Sequence, residues 1–387
     1  MKIIRRNKMG HLKTRSYLIA FLAFIAILAL TLSACQKKAE EKAEVKGKKE
    51  EVIKIGAILP LTGNVSLFGG WLKDGIEFAV SQSGLPAEVI YEDNMGKASK
   101  AVDAFQKLTK VDKVHAIITS QTPVANVLTP LTSSAKVFTV LTFADLPKGD
   151  KKYILNYHFP VEDEASILSK FAYNFIGKKG GILTIGDEFG RLGAEVFIET
   201  FRNLKGEIVY NEQFMFSEKD FRSLLLKLKD KDPDFIFIIA YDQQLLSITK
   251  TMKEMHMAIP LIGPNVITVY LHLIKEYLPN ISYFTMSFYD AHKSKGVKYN
   301  DFITAYKNKK GKEPTMVTAE AYEATMLLLR AIKEKGVDKI PEYFNNLTYS
   351  GIFGRVVIDN NRQAHFPLAV VKLEKGEKKK VEWKFTP

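Results

Sequence analysis

Three consecutive polar residues, Ser120, Gln121 and Thr122, stand where an apolar run passes into a predicted helix. Pro123 suits the first turn of that helix, and Thr122 suits the capping position before it. The free N–H groups and the positive end of such a helix attract an anion, to which the two hydroxyl groups can donate. The spacing therefore predicts an anion-binding site at 120–122, with an ordinary helix cap as the alternative.

Catalytic and metal chemistry is disfavoured by the residues that the sequence contains. Cys35 is the only cysteine, so neither an intramolecular disulfide nor a cysteine-rich zinc site can form. None of the seven histidines has a metal-ligand spacing such as HxxxH. The sequence also has no GxSxG elbow and no Walker loop. We therefore predict no catalytic residue, no metal and no cofactor, and an exported hydrolase is not favoured.

The positive charge is concentrated at the N-terminus. The formal net charge is +13, but residues 1–34 contain six basic residues and no acid, which leaves +7 for the rest of the chain. A nucleic-acid-binding protein needs its basic residues clustered on the surface that contacts the phosphates. The distribution argues against a nucleic-acid partner and is typical of a soluble domain behind a basic leader.

The leader has the layout of a secretory signal. A basic stretch is followed by the apolar run Tyr17–Leu32 and then by Leu32-Ser33-Ala34-Cys35. The last four residues resemble the bacterial lipobox, which implies cleavage after residue 34 and a lipid on Cys35. Residues 36–51 are nearly all Lys, Glu and Ala, which predicts a solvated tether. A permanent membrane helix is the alternative for the apolar run, and either Met1 or Met9 is the start.

From Ile53 onward, short apolar runs alternate with helical patterns. The runs 53–59, 88–92, 115–119 and 137–142 are separated by helical patterns at 71–83, 100–111 and 123–134. The same rhythm starts again after Pro160. Such alternation predicts βαβ units with parallel sheets covered on both faces, in two successive lobes of similar architecture.

Several motifs in this region resemble one family. The run Ile53–Leu59, followed by Pro60-Leu61-Thr62-Gly63, Phe68-Gly69 and Asp74-Gly75, resembles the opening of type I periplasmic binding proteins of the leucine/isoleucine/valine and amide-binding branch. Further matches follow in order: Tyr91-Glu92-Asp93, Gly186-Asp187-Glu188-Phe189-Gly190, Asp220-Phe221, Ala240-Tyr241, Ile262-Gly263-Pro264 and Ala321-Tyr322-Glu323-Ala324. The resemblance covers residues 52–387.

The resemblance implies an α/β fold of two Rossmann-like lobes whose parallel sheets are joined by three crossover strands. We expect the crossovers near His158, 286–289 and 350–354. The N-terminal lobe would then be 52–158 plus 289–350, and the C-terminal lobe 159–288 plus 351–387. The ligand would lie in the cleft at the carboxyl ends of the strands and be enclosed by a hinge motion.

The resemblance also implies a set of ligand-binding residues. The ligand's carboxylate would bind at 120–122, with hydroxyls from Ser120 and Thr122. Leu141, Thr142 and Phe143 end a strand that contacts the ligand in the family, although Phe143 stands where a hydroxyl is expected and Thr142 would have to replace it. Aromatic contacts would come from four residues, for which core packing is the alternative: Phe68, Phe189, Tyr241 and Tyr322.

Asn265 departs from the family pattern. After Gly263-Pro264 the amino-acid binders carry a carboxylate that pairs with the ligand's ammonium, and here the residue is a neutral amide. Burying an unpaired ammonium costs several kcal/mol. Other acids that could replace it are Asp187, Glu188, Asp242 and Glu320. Our hypothesis is a more apolar pocket that favours a small carboxylate or neutral compound, and amino acids stay open.

Taken with the leader, these features predict a monomeric lipid-anchored protein that captures a small molecule for an ABC-type importer. The expected partners are the ligand, the permease subunits, and the membrane through the lipid on Cys35. The protein would be exported and anchored to the cell membrane or the outer membrane, facing the periplasm or the exterior. A ligand-sensing lipoprotein subunit of a signalling system is the alternative.

Overall fold

The computed structural model describes residues 52–63, 65–287, 297–375 and 377–385. The elements below all belong to the second of two units of the chain, Ile53–Pro387. The predicted signal peptide 1–34, the lipidated Cys35 and the tether 35–51 lie outside the described residues, so these expectations stay predictions.

The second unit alternates strands and helices for most of its length. In chain order the strands are β1 (Ile53–Leu59), β2 (Ala87–Asp93), β3 (Ala116–Ser120), β4 (Phe138–Thr142), β5 (Ile154–Asn156), β6 (Lys179–Ile185), β7 (Glu207–Phe214), β8 (Phe235–Ile239), β9 (Leu261–Gly263), β10 (Ile281–Ser287), β11 (Thr348–Gly351), β12 (Gly354–Ile358), β13 (Ala364–His365), β14 (Leu368–Glu374) and β15 (Glu377–Phe385). The helices are α1 (Ser66–Gln82), α2 (Ala98–Lys110), α3 (Thr122–Ala135), α4 (Val161–Phe175), α5 (Glu188–Asn203), α6 (Arg222–Lys229), α7 (Asp242–Glu254), α8 (Val266–Val269), α9 (Leu271–Ile274), α10 (Val297–Lys310), α11 (Met316–Lys335) and α12 (Ile340–Tyr343), with a 3₁₀ turn at Val337–Lys339.

The first sheet has the strand order β2-β1-β3-β4-β5, and all of its strands are parallel. Ile118 of β3 lies beside Ala57 on one neighbour and Val140 on the other. Every residue of β3 and β4 is buried, as expected when helices cover both faces of a parallel sheet.

The second sheet has the order β15-β14-β10-β9-β8-β6-β7. The strands from β6 to β10 are parallel, whereas β14 and β15 are antiparallel additions at one edge. The core under this sheet is aromatic: the rings of Phe197 on α5 and Phe237 on β8 stack with their centroids 4.2 Å apart. The α/β fold with parallel sheets predicted from the sequence is confirmed.

A third, antiparallel sheet consists of β11, β12 and β13. It meets the first sheet through one bridge between Asn156 and Gln363. The sequence predicts that 351–387 belong to the C-terminal lobe. Of that range, β14 and β15 do lie in the second sheet, whereas β12 and β13 lie in the small one. The crossover positions and lobe boundaries stay predictions.

Helices α1 and α11 approach each other closely at Gly75. A Cβ atom at this position would lie 2.3 Å from the carbonyl oxygen of Thr318, so only glycine permits the contact. This packing fixes α11, whose first two turns carry Met316 and Glu320 to the site described next. Within the described ranges, no helix is long and apolar enough to cross a membrane.

Candidate ligand-binding site

The carboxyl ends of parallel strands from both large sheets surround one cavity. Strands β3 and β4 end at Ser120 and Thr142, and strands β6, β8 and β9 end on the opposite side. The cavity volume is about 100 Å³, room for several waters or a small organic molecule. Its lining consists of Thr122, Phe143, Ala144, Asp145, His158, Glu164, Phe189, Tyr241, Asn265, Val266 and Met316.

Asp145 occupies the N-terminal end of α3. The hydroxyl of Thr122 donates to Asp145 Oδ2 at 3.0 Å and accepts the Asp145 backbone N–H at 3.0 Å. Burial raises the pKa of the Asp145 carboxyl to about 6, although the nearby His158 and Thr122 oppose the shift. The sequence does not indicate a role for Asp145, because a lone acid beyond a strand end has no distinguishing pattern.

The local structure at 120–122 differs from the predicted cap. Helix α3 begins at Thr122, so the preceding residue is Gln121, which has a φ of 75° and makes no side-chain cap. The Thr122 hydroxyl bonds to Asp145 and caps no N–H group of its own helix. Ser120 is fully buried and its Oγ has no partner among the described residues, and neither Ser120 nor Gln121 is part of the cavity lining.

The strand end at 141–143 contributes one ring to the cavity. Phe143 lines it, while Leu141 and Thr142 are buried in the sheet, where the Thr142 hydroxyl donates to Thr119 O at 3.3 Å. Thr142 therefore does not supply the hydroxyl missing at Phe143. Phe68 packs edge-on against Phe143 with ring centroids 5.3 Å apart, which places Phe68 behind the lining.

His158 and Glu320 form a buried pair beside the cavity. Nδ1 of His158 lies 3.0 and 3.1 Å from the two carboxylate oxygens of Glu320. Burial lowers the pKa of the imidazole, but the charge and hydrogen bond of Glu320 outweigh it, so the pKa lies above its usual value. Glu320 also accepts the backbone N–H of Phe143 at 3.2 Å, which holds that ring in the cavity wall.

Asn265 lies next to a carboxylate after all. Its backbone N–H donates to Glu164 Oε1 at 2.7 Å, and the Thr285 hydroxyl donates to the same oxygen at 2.6 Å. The Asn265 side chain contacts Met316 Sδ at 3.6 Å and accepts the Thr268 hydroxyl at 3.0 Å. Burial raises the pKa of Glu164 to about 7 in spite of these hydrogen bonds.

Phe189 and Tyr241 form the aromatic wall on the side of the second sheet. Their ring centroids are 6.4 Å apart. Asp187 bonds to both parts of this wall. Its Oδ2 accepts the Tyr241 hydroxyl at 2.8 Å. Its Oδ1 accepts the Gly190 N–H at 2.8 Å and so caps α5, the helix that carries Phe189. Two of the predicted aromatic residues thus line the cavity.

Tyr322 is not brought to the cavity. Its ring packs between Phe78 and Phe302, with centroid distances of 5.3 and 4.6 Å. It lines a different cavity of about 310 Å³ between α1, α10 and α11. The packing of α11 on α1 decides which face of α11 points to the ligand cavity. Tyr322 lies on the face of α11 that points away from this cavity.

The acids predicted as replacements for a carboxylate at residue 265 do not line the cavity. Asp187 and Glu320 stand behind it, bonded to Tyr241 and His158. Glu188 is exposed and bonded to Arg191, and Asp242 bonds the backbone at the start of α7. The carboxylates in the lining are Asp145 and Glu164. Among the described residues, no group of three or more His, Cys, Asp or Glu side chains is arranged to hold a metal ion.

The sequence model of the family described as periplasmic binding protein matches residues 52–378. The chain belongs to this family. The match confirms the resemblance drawn from the motifs, and it implies an extracytoplasmic location. Periplasmic binding proteins are transport proteins that bind a substrate, not enzymes.

Individual relatives agree with the family assignment. The chain is similar to the Leu/Ile/Val-binding protein BraC3 of Rhizobium johnstonii, with 25% identity over 224 residues, 54% of this chain and 60% of that protein's length. The leucine-binding protein LivK from Thermotoga maritima is 24% identical, with a TM-score of 0.77 over 87% of this chain and 99% of its own. A Rhodopseudomonas palustris ABC-transporter solute-binding protein in complex with 3,4-dihydroxybenzoic acid is 25% identical, with a TM-score of 0.74 over 87% of this chain and 98% of its own.

Proposed function

We propose that this periplasmic binding protein is a lipid-anchored solute-binding subunit of an ABC-type importer. It captures a small molecule in a hinged cleft: a branched-chain or aromatic amino acid, or a related small carboxylate or amide. The observation that carries the proposal is the cavity itself, since Thr122 and Asp145 reach it from the first sheet, and Phe189 and Tyr241 from the second. A ligand that contacts both sides stabilises the closed form, which is the requirement for ligand-driven closure.

Ligand binding is tested by thermal unfolding of the full chain in mild detergent. The panel holds leucine, valine and phenylalanine, the same skeletons without the amino group or without the carboxyl group, and aromatic acids and amides. A ligand at 100 times its Kd stabilises the folded state by about 2.7 kcal/mol, so we expect the unfolding temperature to rise by several degrees. The proposal fails if no small acid, amide, amine or amino acid raises it.

Two tyrosines provide a matched control for this measurement. Tyr241→Ala removes a ring from the cavity wall, and Tyr322→Ala removes a ring that packs elsewhere. We expect the shift produced by a ligand to shrink strongly in the first variant and to persist in the second. Equal loss in both would show that the described cavity is not the binding site.

Anchoring is tested at Cys35. In Cys35→Ser the thiol that would carry the lipid is gone, and with it the acyl chains whose burial contributes roughly 0.8 kcal/mol per CH₂. We expect intact-mass analysis to show acyl chains on a wild-type chain that begins at Cys35, and to show none on Cys35→Ser. Ser33→Ala keeps the cysteine and serves as the control. A wild-type chain that keeps residues 1–34 and carries no added mass would favour the alternative, an anchor helix at 17–32.

A further inference from the structure

The place where the resemblance puts the ligand's carboxylate already holds a carboxylate of the protein. Asp145 lies at the N-terminal end of α3, and both hydrogen-bonding roles of the Thr122 hydroxyl are taken by Asp145. An anionic ligand group at this end of the helix would therefore lie against Asp145. Two carboxylates that share a site repel each other, so a ligand anion there is disfavoured.

The rest of the lining favours a cation. Phe143, Phe189 and Tyr241 present rings to the cavity, and none of the described lining residues is a lysine or an arginine. Aromatic faces attract ammonium groups, most strongly where water is excluded. Among the described lining residues, His158 is the one with a basic side chain, and both carboxylate oxygens of Glu320 contact its imidazole.

Glu164 provides a second acceptor. Its side chain is 2% exposed and lines the cavity. The hydrogen bonds from Asn265 and Thr285 both end on Oε1, and no described residue donates to Oε2. No described lysine or arginine forms an ion pair with Glu164 or Asp145. Unpaired buried carboxylates are costly, and a bound cation would remove that cost.

We propose that the ligand presents an ammonium group, primary or quaternary, to Asp145 and Glu164 inside the aromatic wall, and that it needs no carboxylate at the end of α3. This inference rests on the proposed function, because it names the chemical class captured by the same cavity. It also reverses the preference for an amino-free compound that the neutral Asn265 suggested. The cationic group is placed by Asp145 from the first sheet and Glu164 from the second.

The test compares matched compounds by isothermal titration of the full chain in detergent. One set is isoamylamine, leucine and 4-methylpentanoate, and another is phenethylamine, phenylalanine and 3-phenylpropanoate. Choline and its neutral isostere 3,3-dimethylbutanol form the third comparison. We expect the amine of each set to bind most tightly and the acid least tightly, and choline to bind at least tenfold more tightly than the isostere, about the value of one charged contact.

Asp145→Asn tests the assignment to this residue. The amide is nearly isosteric and can keep both contacts with Thr122, so the fold should be retained. We expect a ten- to hundredfold loss of amine affinity, about the value of a charge-assisted hydrogen bond, with little change for neutral compounds. Asp103→Asn is the control, since Asp103 is exposed on α2. Phe189→Leu leaves both carboxylates in place and should reduce the advantage of choline over its isostere.

The possible outcomes separate the two proposals. Acids that bind as tightly as amines, or an unchanged order of affinities in Asp145→Asn, would overturn the ammonium assignment and leave the solute-binding function intact. Failure of every amine, amino acid, acid and amide to bind would overturn the solute-binding function itself.

Discussion

Replacing His158 with leucine is expected to lower the free energy of unfolding by about 3–5 kcal/mol. The reason is the partner left behind: the Glu320 side chain is fully buried, and the His158 imidazole contacts both of its carboxylate oxygens. A buried carboxylate without its partner carries most of its desolvation penalty uncompensated. Urea unfolding of the ligand-free chain measures the effect.

The double variant His158→Leu with Glu320→Leu separates the charge from the packing. Removing both members of a buried pair leaves no unpaired charge, so we expect the double variant to be markedly more stable than His158→Leu alone. Leucine also preserves much of the apolar contact that the imidazole makes with Phe143, whose ring centroid lies 4.5 Å away. A double variant that is less stable than the single one would mean that the pair contributes through packing and not through charge.

The second large effect is on the pH dependence of stability, which we expect to fall as the pH rises from 5 to 8. The pKa of Glu164 and of Glu323 is raised by burial to about 7, and that of Asp145 to about 6. A carboxyl whose folded pKa is raised stabilises the fold fully below its unfolded pKa, about 4, and that contribution is lost as the pH rises through the folded value. For Glu164 and Glu323 the loss is about 3 kcal/mol each.

The surroundings of these carboxyl groups support the rise of their pKa values. Glu323 accepts the Tyr157 hydroxyl at 2.9 Å and the Ile352 N–H at 2.5 Å, and no described lysine or arginine pairs with it. Besides burial, which raises the pKa of Asp145, His158 and Thr122 lower it and Glu162 and Asp187 raise it. The pKa of His365 is also raised, chiefly by its hydrogen bond to Asp163, and this contribution disappears at high pH in the same way.

Carboxyl groups with lowered pKa values make the fold less stable as the pH falls, but they do so only below the range from pH 5 to 8. Burial raises the pKa of Asp74, but its hydrogen bonds to Lys312 and Lys310 outweigh this and lower the pKa. Its contribution to stability is lost only as the pH falls below about 4.

Urea unfolding at pH 5, 6, 7 and 8 measures how the free energy of unfolding changes with pH. Glu164→Gln and Glu323→Gln should each flatten this dependence, and Glu199→Gln, on the exposed face of α5, should not. Stability that increases over this range would contradict the raised pKa values of these carboxyls.

The sequence alone was sufficient for the architecture. The alternation of apolar runs and helical patterns is a local property, because a strand or helix buried on a given face must repeat with the period of its own backbone. The fully apolar run at β8, Phe235–Ile239, is one example: it reads as a strand covered on both faces, and all five residues are buried. The motif order was likewise enough for the family.

The sequence was less informative about the cavity, because its chemistry depends on residues that are far apart in the chain. Phe143, Phe189, Tyr241 and Asn265 follow strands, and strand ends converge in any parallel sheet, so their positions were predictable. Glu164 was not, since nothing in the first turn of α4 shows that it meets Asn265, which follows 101 residues later. Tyr322 lies outside the cavity lining, because the packing of α11 on α1 at Gly75 sets which face of α11 points to the cavity.

The neutral residue at 265 shows this division most clearly. From the sequence, Asn265 indicates the loss of a carboxylate and an apolar pocket. In the folded chain, Glu164 lies beside Asn265 and Asp145 lies at the end of α3, so the cavity has two carboxylates from other elements. Residue types and their periodicity are properties of the sequence itself, and they were enough to predict the fold and the family. The charge of the site was decided by tertiary structure, since it is the sum over side chains that only the packing of distant elements brings together.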